Sequence, residues 1–249
     1  MEVGFKTDKG IIREKNEDAC FVLLPDKVYI VADGVGGGNS GEIASRTAVS
    51  EISNYVLDHP ISLMNTKYAI VNYLQTAIDN ANKKIYHMAR NYDENSGMAT
   101  TLVVLYITGK CAYVANIGDS RAYLFRGNKL VQLTEDHTYV NTLVKVGIIS
   151  KEEAEKDERK NLIVKALGAD QTTEPDFFQI EIEKDDVFLL CSDGLYDEVG
   201  EQEIIETIKA NENMTDAAKE LTERANRNGG HDNITCVLVK VTEEDLYEH

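Results

Sequence analysis

The 249-residue sequence lacks closely spaced cysteines, long apolar segments and an excess of basic residues. Its four cysteines are Cys20, Cys111, Cys191 and Cys236, each isolated in an apolar, strand-like run. This spacing predicts buried thiols rather than zinc ligands or disulfides. No run of about 18 apolar residues could span a membrane, and the N-terminus is too charged for a secretory signal. We therefore expect a soluble, cytoplasmic monomer with no membrane partner.

The charge balance is strongly acidic, with 26 Lys and Arg against 43 Asp and Glu and a net charge of −17. Nucleic acids and anionic membrane surfaces are bound by clustered basic residues, so both are disfavoured as partners. Cations, or proteins with basic surfaces, fit this charge better. With 43% hydrophobic residues, the chain can bury one sizeable core, which predicts a single domain over residues 1–249.

Runs rich in Val, Ile, Tyr and Phe predict ten strands, many joined by tight turns that favour antiparallel pairing. The predicted strands are Glu2–Thr7, Ala19–Leu24, Val28–Ala32, Thr101–Ile107, Cys111–Ile117, Arg121–Phe125, Lys129–Leu133, Phe177–Ile182, Val187–Ser192 and Ile234–Val241. Helical periodicity lies between these groups: after a capping box at Asn39 and Glu42, and over 67–90, 202–210 and 215–227. Grouped strands and paired helices predict an α+β fold.

Residues 137–175 interrupt this pattern and are expected to form an insertion in the domain. The segment predicts a short helix, a turn at Gly147, and a second helix capped by Ser150 with Glu153.

The glycine-rich stretch VYIVADGVGGGNSGEIASR, residues 28–46, suggests two phosphate-binding motifs, and neither fits. A P-loop needs a lysine after its glycines, and none follows here. Gly36, Gly38 and Gly41 match GxGxxG, but a second helix follows where a dinucleotide fold needs a strand, and Asp33 would repel a pyrophosphate. The alternative is that Asp33 binds a metal and the glycines allow a sharp turn that brings a backbone carbonyl to it.

Three further aspartates occupy similar positions. Asp119 and Asp193 follow apolar runs, and Asp232 comes just before the last strand, while Asp18 begins a strand. If these strand ends converge, the carboxylates repel one another unless protons or cations neutralise them. Oxygen ligands alone favour Mg²⁺ or Mn²⁺ over Zn²⁺. The sequence thus predicts an acidic, divalent-metal site.

An ordered series of motifs along the chain resembles the type 2C metal-dependent Ser/Thr protein phosphatases in their compact bacterial form. The motifs are RxxNED at 13–18, DGxGG at 33–37, GMATTL at 97–102, IGDSRAY at 117–123, LTEDHT at 133–138, ALG at 166–168, SDGL at 192–195 and HDNIT at 231–235. Each is weak alone, but the ordered set is specific. The resemblance implies two packed antiparallel sheets between pairs of antiparallel helices, with a two-metal site at one end.

By this resemblance, Asp33 bridges two Mn²⁺ or Mg²⁺ ions, the Gly34 carbonyl binds one of them, and Asp193 and Asp232 bind the other. Asp119 and Asp193 match a pair that holds a third, weaker ion. The implied reaction is hydrolysis of phosphoserine and phosphothreonine in proteins by a hydroxide that bridges the two metals, without a covalent intermediate.

The resemblance also assigns supporting roles. Arg13 would hold two phosphate oxygens through its planar fork, Glu17 and Asp18 would support the metals through water or hydrogen bonds, and residues 137–175 would form a flap over the site. The implied partners are phosphorylated proteins, including Ser/Thr kinases and their targets.

One departure concerns the acid that protonates the leaving alkoxide. Many members of the family have a histidine where this chain has Val35 or Gly38. His231, beside Asp232, could be the acid in its place or could have a structural role instead. A metal-bound water could also protonate the alkoxide. Two other hypotheses stay open: a pseudo-phosphatase that serves as a binding module, and a two-metal phosphodiesterase.

Overall fold

Eleven strands and seven helices form in residues 1–37 and 40–246, which the computed structural model describes. The strands are β1 (Glu2–Asp8), β2 (Asp18–Leu23), β3 (Val28–Val35), β4 (Ala99–Thr100), β5 (Leu102–Thr108), β6 (Cys111–Ile117), β7 (Arg121–Arg126), β8 (Lys129–Gln132), β9 (Asp176–Glu181), β10 (Val187–Cys191) and β11 (Ile234–Lys240). The helices are α1 (Ser40–Asp58), α2 (Lys67–Asn91), α3 (Tyr139–Lys145), α4 (Lys151–Ala154), α5 (Asp193–Tyr196), α6 (Glu201–Ala210) and α7 (Met214–Asn228).

All ten predicted strands form, and apart from β3 their ends lie within one residue of the prediction. The prediction missed β4 and α5, whose few residues are too short to show a period. The predicted cap at Asn39 lies outside the described residues. No helix in 1–37 or 40–246 combines the length and the apolar character that crossing a bilayer requires.

The strands build two antiparallel sheets, as predicted. One has the order β1-β11-β10-β7-β8, and the other has the order β2-β3-β5-β6-β9, with β4 paired to β3. The short strand β4 pairs with the carboxyl end of β3, with Thr100 opposite Gly34. That pairing extends β3 beyond its predicted end at Ala32.

Side-chain alternation along the strands explains how four layers stack. On β3, Val28, Ile30 and Ala32 pack towards α1 and α2, whereas Tyr29 and Val31 pack against the other sheet. Successive strand residues point to opposite faces, so an apolar strand buried on both sides has no polar face. The other sheet likewise packs α6 and α7 on its outer side. The α-β-β-α sandwich is therefore confirmed.

All four cysteines are free thiols. Cys191 and Cys236 are buried, as predicted, because β10 and β11 are interior strands. The prediction is wrong for Cys20 and Cys111, which are only half-buried. Cys20 lies on β2, at the edge of its sheet, and Cys111 is the first residue of β6.

The 137–175 segment has the predicted pair of short helices, α3 and α4. Gly147 between them has φ +74°, a conformation that favours glycine. Ser150 and Glu153 form the predicted capping box. Single bridges join Thr138 to Ile163 and Thr100 to Leu167. That this segment acts as a flap stays a prediction.

Candidate active site

Two carboxylates face each other at the end of the β2–β3 pair. Asp18 lies directly opposite Asp33 in the antiparallel register, and side chains in such a pair share one face of the sheet, where like charges repel. Burial raises the pKa of Asp18 to about 7, against hydrogen bonds that lower it. Its Oδ2 accepts a hydrogen bond of 2.7 Å from the Ser192 hydroxyl, while its buried Oδ1 has no hydrogen-bond partner.

Asp33 is at the centre of the acidic cluster. Burial first, and then the negative charge of four aspartates, raises its pKa well above the ordinary value. Those neighbours are Asp18, Asp193, Asp119 and Asp232. The structure thus brings together all the aspartates that the sequence singled out. Asp33 itself lies within β3 rather than after it, which corrects the expected strand end.

The other cluster members come from three separate connections. Asp193 is the first residue of α5, and burial followed by the charges of Asp232 and Asp197 raises its pKa to about 6. Its Oδ1 is buried without a hydrogen-bond partner. Burial, then the charge of Asp193, raises the pKa of Asp119 to about 7. These carboxylates favour any state in which a cation or a proton neutralises them.

Threonine side chains hold the backbone of Asp33 in place. Its N–H donates to Thr101 Oγ1 at 2.9 Å, and its carbonyl accepts from the Thr100 hydroxyl at 2.8 Å. The Thr101 hydroxyl is in turn 2.7 Å from that of Ser120, next to Asp119. The GMATTL motif contains these threonines, but the sequence alone indicates no role for them, because their contacts depend on the pairing of β3 with β4.

The glycines after Asp33 act through close packing, so the predicted sharp turn is wrong at Gly34. Gly34 lies in extended strand, and a Cβ there would be 2.0 Å from the carbonyl oxygen of Gly41. A Cβ on Gly41 would be 2.8 Å from Glu17 Oε2. Both glycines therefore let the start of α1 approach β3 and Glu17. Gly38 lies outside the described residues.

The loop before β2 carries Arg13 to the same place. Arg13 Nη2 donates to Asp232 Oδ2 at 2.5 Å, and its side chain is 52% exposed, so the rest of its fork can reach solvent. Buried Asn233 holds the loop: its Oδ1 accepts from the Glu17 N–H at 2.7 Å, and its Nδ2 donates to the carbonyls of Lys9 and Lys15. Sequence reasoning missed Asn233, although its place beside Asp232 was a usable signal.

Comparison with known proteins decides the family. The family model described as protein phosphatase 2C matches residues 13–239. The chain belongs to the protein phosphatase 2C family. It is 40% identical over 243 residues to a serine/threonine phosphatase stp of Listeria innocua, covering 96% of each chain. It is 37% identical over 249 residues to the protein phosphatase PhpP of Streptococcus pneumoniae, covering 98% of this chain and 99% of the relative.

Solved structures agree with this assignment. A serine/threonine phosphatase of S. agalactiae superposes with a TM-score of 0.90 at 32% identity, covering 96% of this chain and 99% of that one. The catalytic domain of the phosphatase PstP, solved with 2 manganese ions, gives a TM-score of 0.85 at 33% identity over 97% and 98% of the chains. These matches confirm the predicted enzyme class, a protein-serine/threonine phosphatase.

The donor set of this phosphatase suits hard divalent cations. Carboxylate oxygens and a backbone carbonyl are the ligands that Mg²⁺ and Mn²⁺ prefer, and the unpartnered Oδ1 atoms of Asp18 and Asp193 supply acceptors. Within 1–37 and 40–246, no three acidic, His or Cys side chains already surround one point as ligands. Instead, Asp232 Oδ2 accepts a hydrogen bond from Arg13 Nη2. The roles of Asp33, Gly34, Asp193, Asp232 and Asp119 as ligands stay predictions.

His231, the sequence candidate for the missing acid, turns towards Glu198. Its Nδ1 lies 2.6 Å from Glu198 Oε1, and the side chain is 72% exposed. Asn228 donates to the Glu198 carbonyl at 2.8 Å, so these residues link the end of α7 to the segment after α5. The observed contacts favour the structural role. Val35, at one of the usual histidine positions, is 44% exposed.

An open cavity of about 500 Å³ adjoins Asp119 on the side of the 137–175 segment. Asp119, Arg121 and Tyr196 line it from the sandwich, and Asn141 and Lys160 line it from the segment. The segment therefore borders the acidic cluster, where the predicted flap would be.

Proposed function

We propose that this chain hydrolyses phosphoserine and phosphothreonine in proteins with two divalent ions, Mn²⁺ or Mg²⁺, at the acidic cluster. The observation that carries the proposal is that Asp33 lies directly opposite Asp18 and near three further aspartates, whose charge adds to burial in raising its pKa. Crowded carboxylates destabilise a fold unless cations offset them, so such a cluster indicates a cation site. The relative solved with 2 manganese ions supports this reading.

The assigned ligands come from both sheets of the sandwich. Asp33 would bridge the two ions, the Gly34 carbonyl would bind one, and Asp193 and Asp232 the other, with Asp119 and Asp193 holding a weaker third. When bound, the ions lower the pKa of a shared water and neutralise charge on the phosphoryl group. Glu17 and Asp18 support the arrangement through hydrogen bonds, as the Ser192–Asp18 contact does already.

Arg13 binds the phosphate of the substrate. Its fork is exposed beside Asp232, and a planar guanidinium can donate to two phosphoryl oxygens at once. Arg13→Lys keeps the charge but loses this geometry, so we expect KM to rise more than kcat falls.

Water attacks the phosphorus directly, because the serine that contacts the cluster is enclosed and engaged. Ser192 is fully buried, donates to Asp18 and accepts from the Thr235 N–H at 3.0 Å. A nucleophilic serine needs access to substrate and a base for its proton, and a fully buried hydroxyl lacks the first. Direct hydrolysis therefore leaves no phosphoenzyme.

The substrate class is inferred from relatives such as the L. innocua protein, which is named a serine/threonine phosphatase. Proteins phosphorylated by Ser/Thr kinases, and those kinases themselves, are the proposed partners. The net charge of −17 opposes a polynucleotide substrate.

The test compares four substrates with and without metal: p-nitrophenyl phosphate, a phosphothreonine peptide, a phosphotyrosine peptide and bis-p-nitrophenyl phosphate. We expect Mn²⁺-dependent release of phosphate from the first two, loss of activity on chelation, and recovery on adding Mn²⁺. Arg126→Lys serves as the control for Arg13→Lys, because Arg126 pairs with Asp186 in another part of the molecule.

Two results would overturn the proposal. Metal binding without hydrolysis of any monoester would favour the pseudo-phosphatase. Faster cleavage of the bis-aryl phosphate than of the mono-aryl phosphate would favour the phosphodiesterase.

A further inference from the structure

Arg121, the first residue of β7, is at the centre of a set of contacts that the proposed hydrolysis does not use. Its Nε lies 3.0 Å from Asp136 Oδ1, and its Nη2 donates to Asp136 Oδ2 at 2.6 Å. Its Nη1 donates to the Tyr123 hydroxyl at 2.9 Å. The guanidinium carbon is 3.5 Å from the centroid of the Tyr196 ring, which it covers. Nearly every face of this group is therefore engaged.

Tyr196 carries these contacts to the acidic cluster. Its hydroxyl donates to the backbone carbonyl of Asp119 at 3.0 Å. Tyr196 is also the last residue of α5, the helical turn that begins with Asp193. The ring under Arg121 is thus fixed to Asp119 by a hydrogen bond and to Asp193 by the chain.

Asp136 anchors the other side of Arg121. Besides its bonds to Arg121, its Oδ1 accepts from Gln132 Nε2 at 2.9 Å, and its carbonyl accepts from Asn141 Nδ2 at 2.7 Å. Asn141 belongs to α3. The arginine is therefore held in one orientation by β8 and by the first helix of the 137–175 segment.

We propose that Arg121 is a positioning residue that, through Tyr196, sets the separation of Asp119 and Asp193 and thereby the affinity of the weakest divalent ion. The inference rests on the proposed function, because it takes Asp119 and Asp193 as ligands. Groups that orient metal ligands from outside the coordination sphere change affinity when they are replaced, typically about 10- to 100-fold.

The fork of Arg121 is essential to this role. A lysine keeps one charge but cannot donate twice to Asp136 and also cover a ring with a flat face. Arg126 provides a matched control on the same strand: it donates to Asp186 through Nε at 2.7 Å and Nη2 at 2.6 Å. Its other partners in the described part of the chain, Glu183 and the Glu181 carbonyl, lie outside the acidic cluster.

The experiment is a Mn²⁺ titration of the full chain, followed by electron paramagnetic resonance of free Mn²⁺ and by calorimetry. It compares wild type, Arg121→Lys, Tyr196→Phe and Arg126→Lys at one pH and ionic strength. For Arg121→Lys we expect the weakest ion to bind about 10-fold less tightly or worse. Tyr196→Phe, which keeps the ring and removes only its hydroxyl, should show a smaller loss, and Arg126→Lys none.

Several results would overturn the inference. One is a wild type that binds two ions and no third. Another is an affinity for the weakest ion within about twofold of wild type in both Arg121→Lys and Tyr196→Phe. The last is a loss of affinity in Arg126→Lys equal to that in Arg121→Lys. If circular dichroism shows that Arg121→Lys does not fold, Tyr196→Phe alone decides. Two tight ions with active hydrolysis in all variants would leave the proposed function intact, whereas a wild type that binds no ion would overturn both.

Discussion

Strand β10 has an aspartate next to each end, and the two ends differ in how that charge is compensated. Asp186, just before the strand, is 1% exposed and accepts from Arg126 Nε and Nη2 and from the Glu183 N–H. Asp193, two residues after the strand, has no such partner arginine among the residues that the structure describes, and burial followed by the charges of Asp232 and Asp197 raises its pKa. One end of the sandwich is therefore a completed ion pair. At the other end, the proposed function requires cations from solution to compensate the charge.

The largest expected effect comes from Asp33→Asn, which removes one carboxylate from the acidic cluster. If Asp33 bridges the ions, Mn²⁺-supported turnover of p-nitrophenyl phosphate should fall on the order of 10²- to 10³-fold, since metal stabilisation of several kcal/mol is lost. In chelator, by contrast, the variant should be more stable and melt at a higher Tm than wild type, because one repelling carboxylate is gone. Normal turnover would refute the ligand assignment.

The matching change at the other end is Asp186→Asn. It leaves Arg126 without its bidentate partner, but Arg126 is one-third exposed and keeps Glu183 at 2.9 Å. We expect a loss of about 2 kcal/mol, less than for a fully buried pair, and hence a Tm lower by roughly 4–8 °C. Turnover per folded molecule should not change. A Tm equal to wild type would mean that the pair contributes nothing to stability.

A pH series should separate the two ends further. Raised carboxylate pKa values mean that the folded chain binds more protons than the unfolded chain between pH 3.8, the ordinary aspartate value, and about 7, the pKa of Asp18 and Asp119. Stability in chelator should therefore fall as pH rises through this window. Saturating Mn²⁺ should reduce the slope, since metal binds the deprotonated form. A chelator series that rises steadily over the same window would contradict the expectation.

The smallest effect is expected for His231→Gln. Because His231 contacts Glu198 and is largely exposed, turnover of both p-nitrophenyl phosphate and a phosphothreonine peptide should stay within about threefold of wild type. If His231 were the general acid, the peptide, with its poorer leaving group, would lose on the order of 10²-fold or more. Steady-state kinetics on the two substrates distinguish these outcomes.

Much of the fold could be predicted because its signals are local. Apolar runs placed ten strands, tight turns indicated antiparallel pairing, and helical periodicity placed the four long helices. The errors came from contacts between residues distant in sequence: β3 ends at Val35 rather than Ala32 because β4, a two-residue strand, extends its pairing. Cys20 is half-buried because sheet order places β2 at an edge.

The candidate site was predictable in composition but less so in arrangement. The sequence singled out Asp33, Asp119, Asp193 and Asp232 from their places beside strands. It did not show that Gly34 serves close packing against Gly41, or that Asn233 fastens the loop of Arg13. Those roles depend on which backbones meet in space.

The sequence by itself determined where the strands and helices form and which acidic residues lie near strand ends, because periodicity and turn chemistry act over a few residues. Only the tertiary structure decided which charges are compensated. The partners Arg126 and Asp186 are 60 residues apart, and Arg13 and Asp232 are 219 apart. Charge compensation depends on distance through space, so strand pairing within each sheet decides that Asp186 has an arginine from β7 while Asp33 and Asp18 face each other.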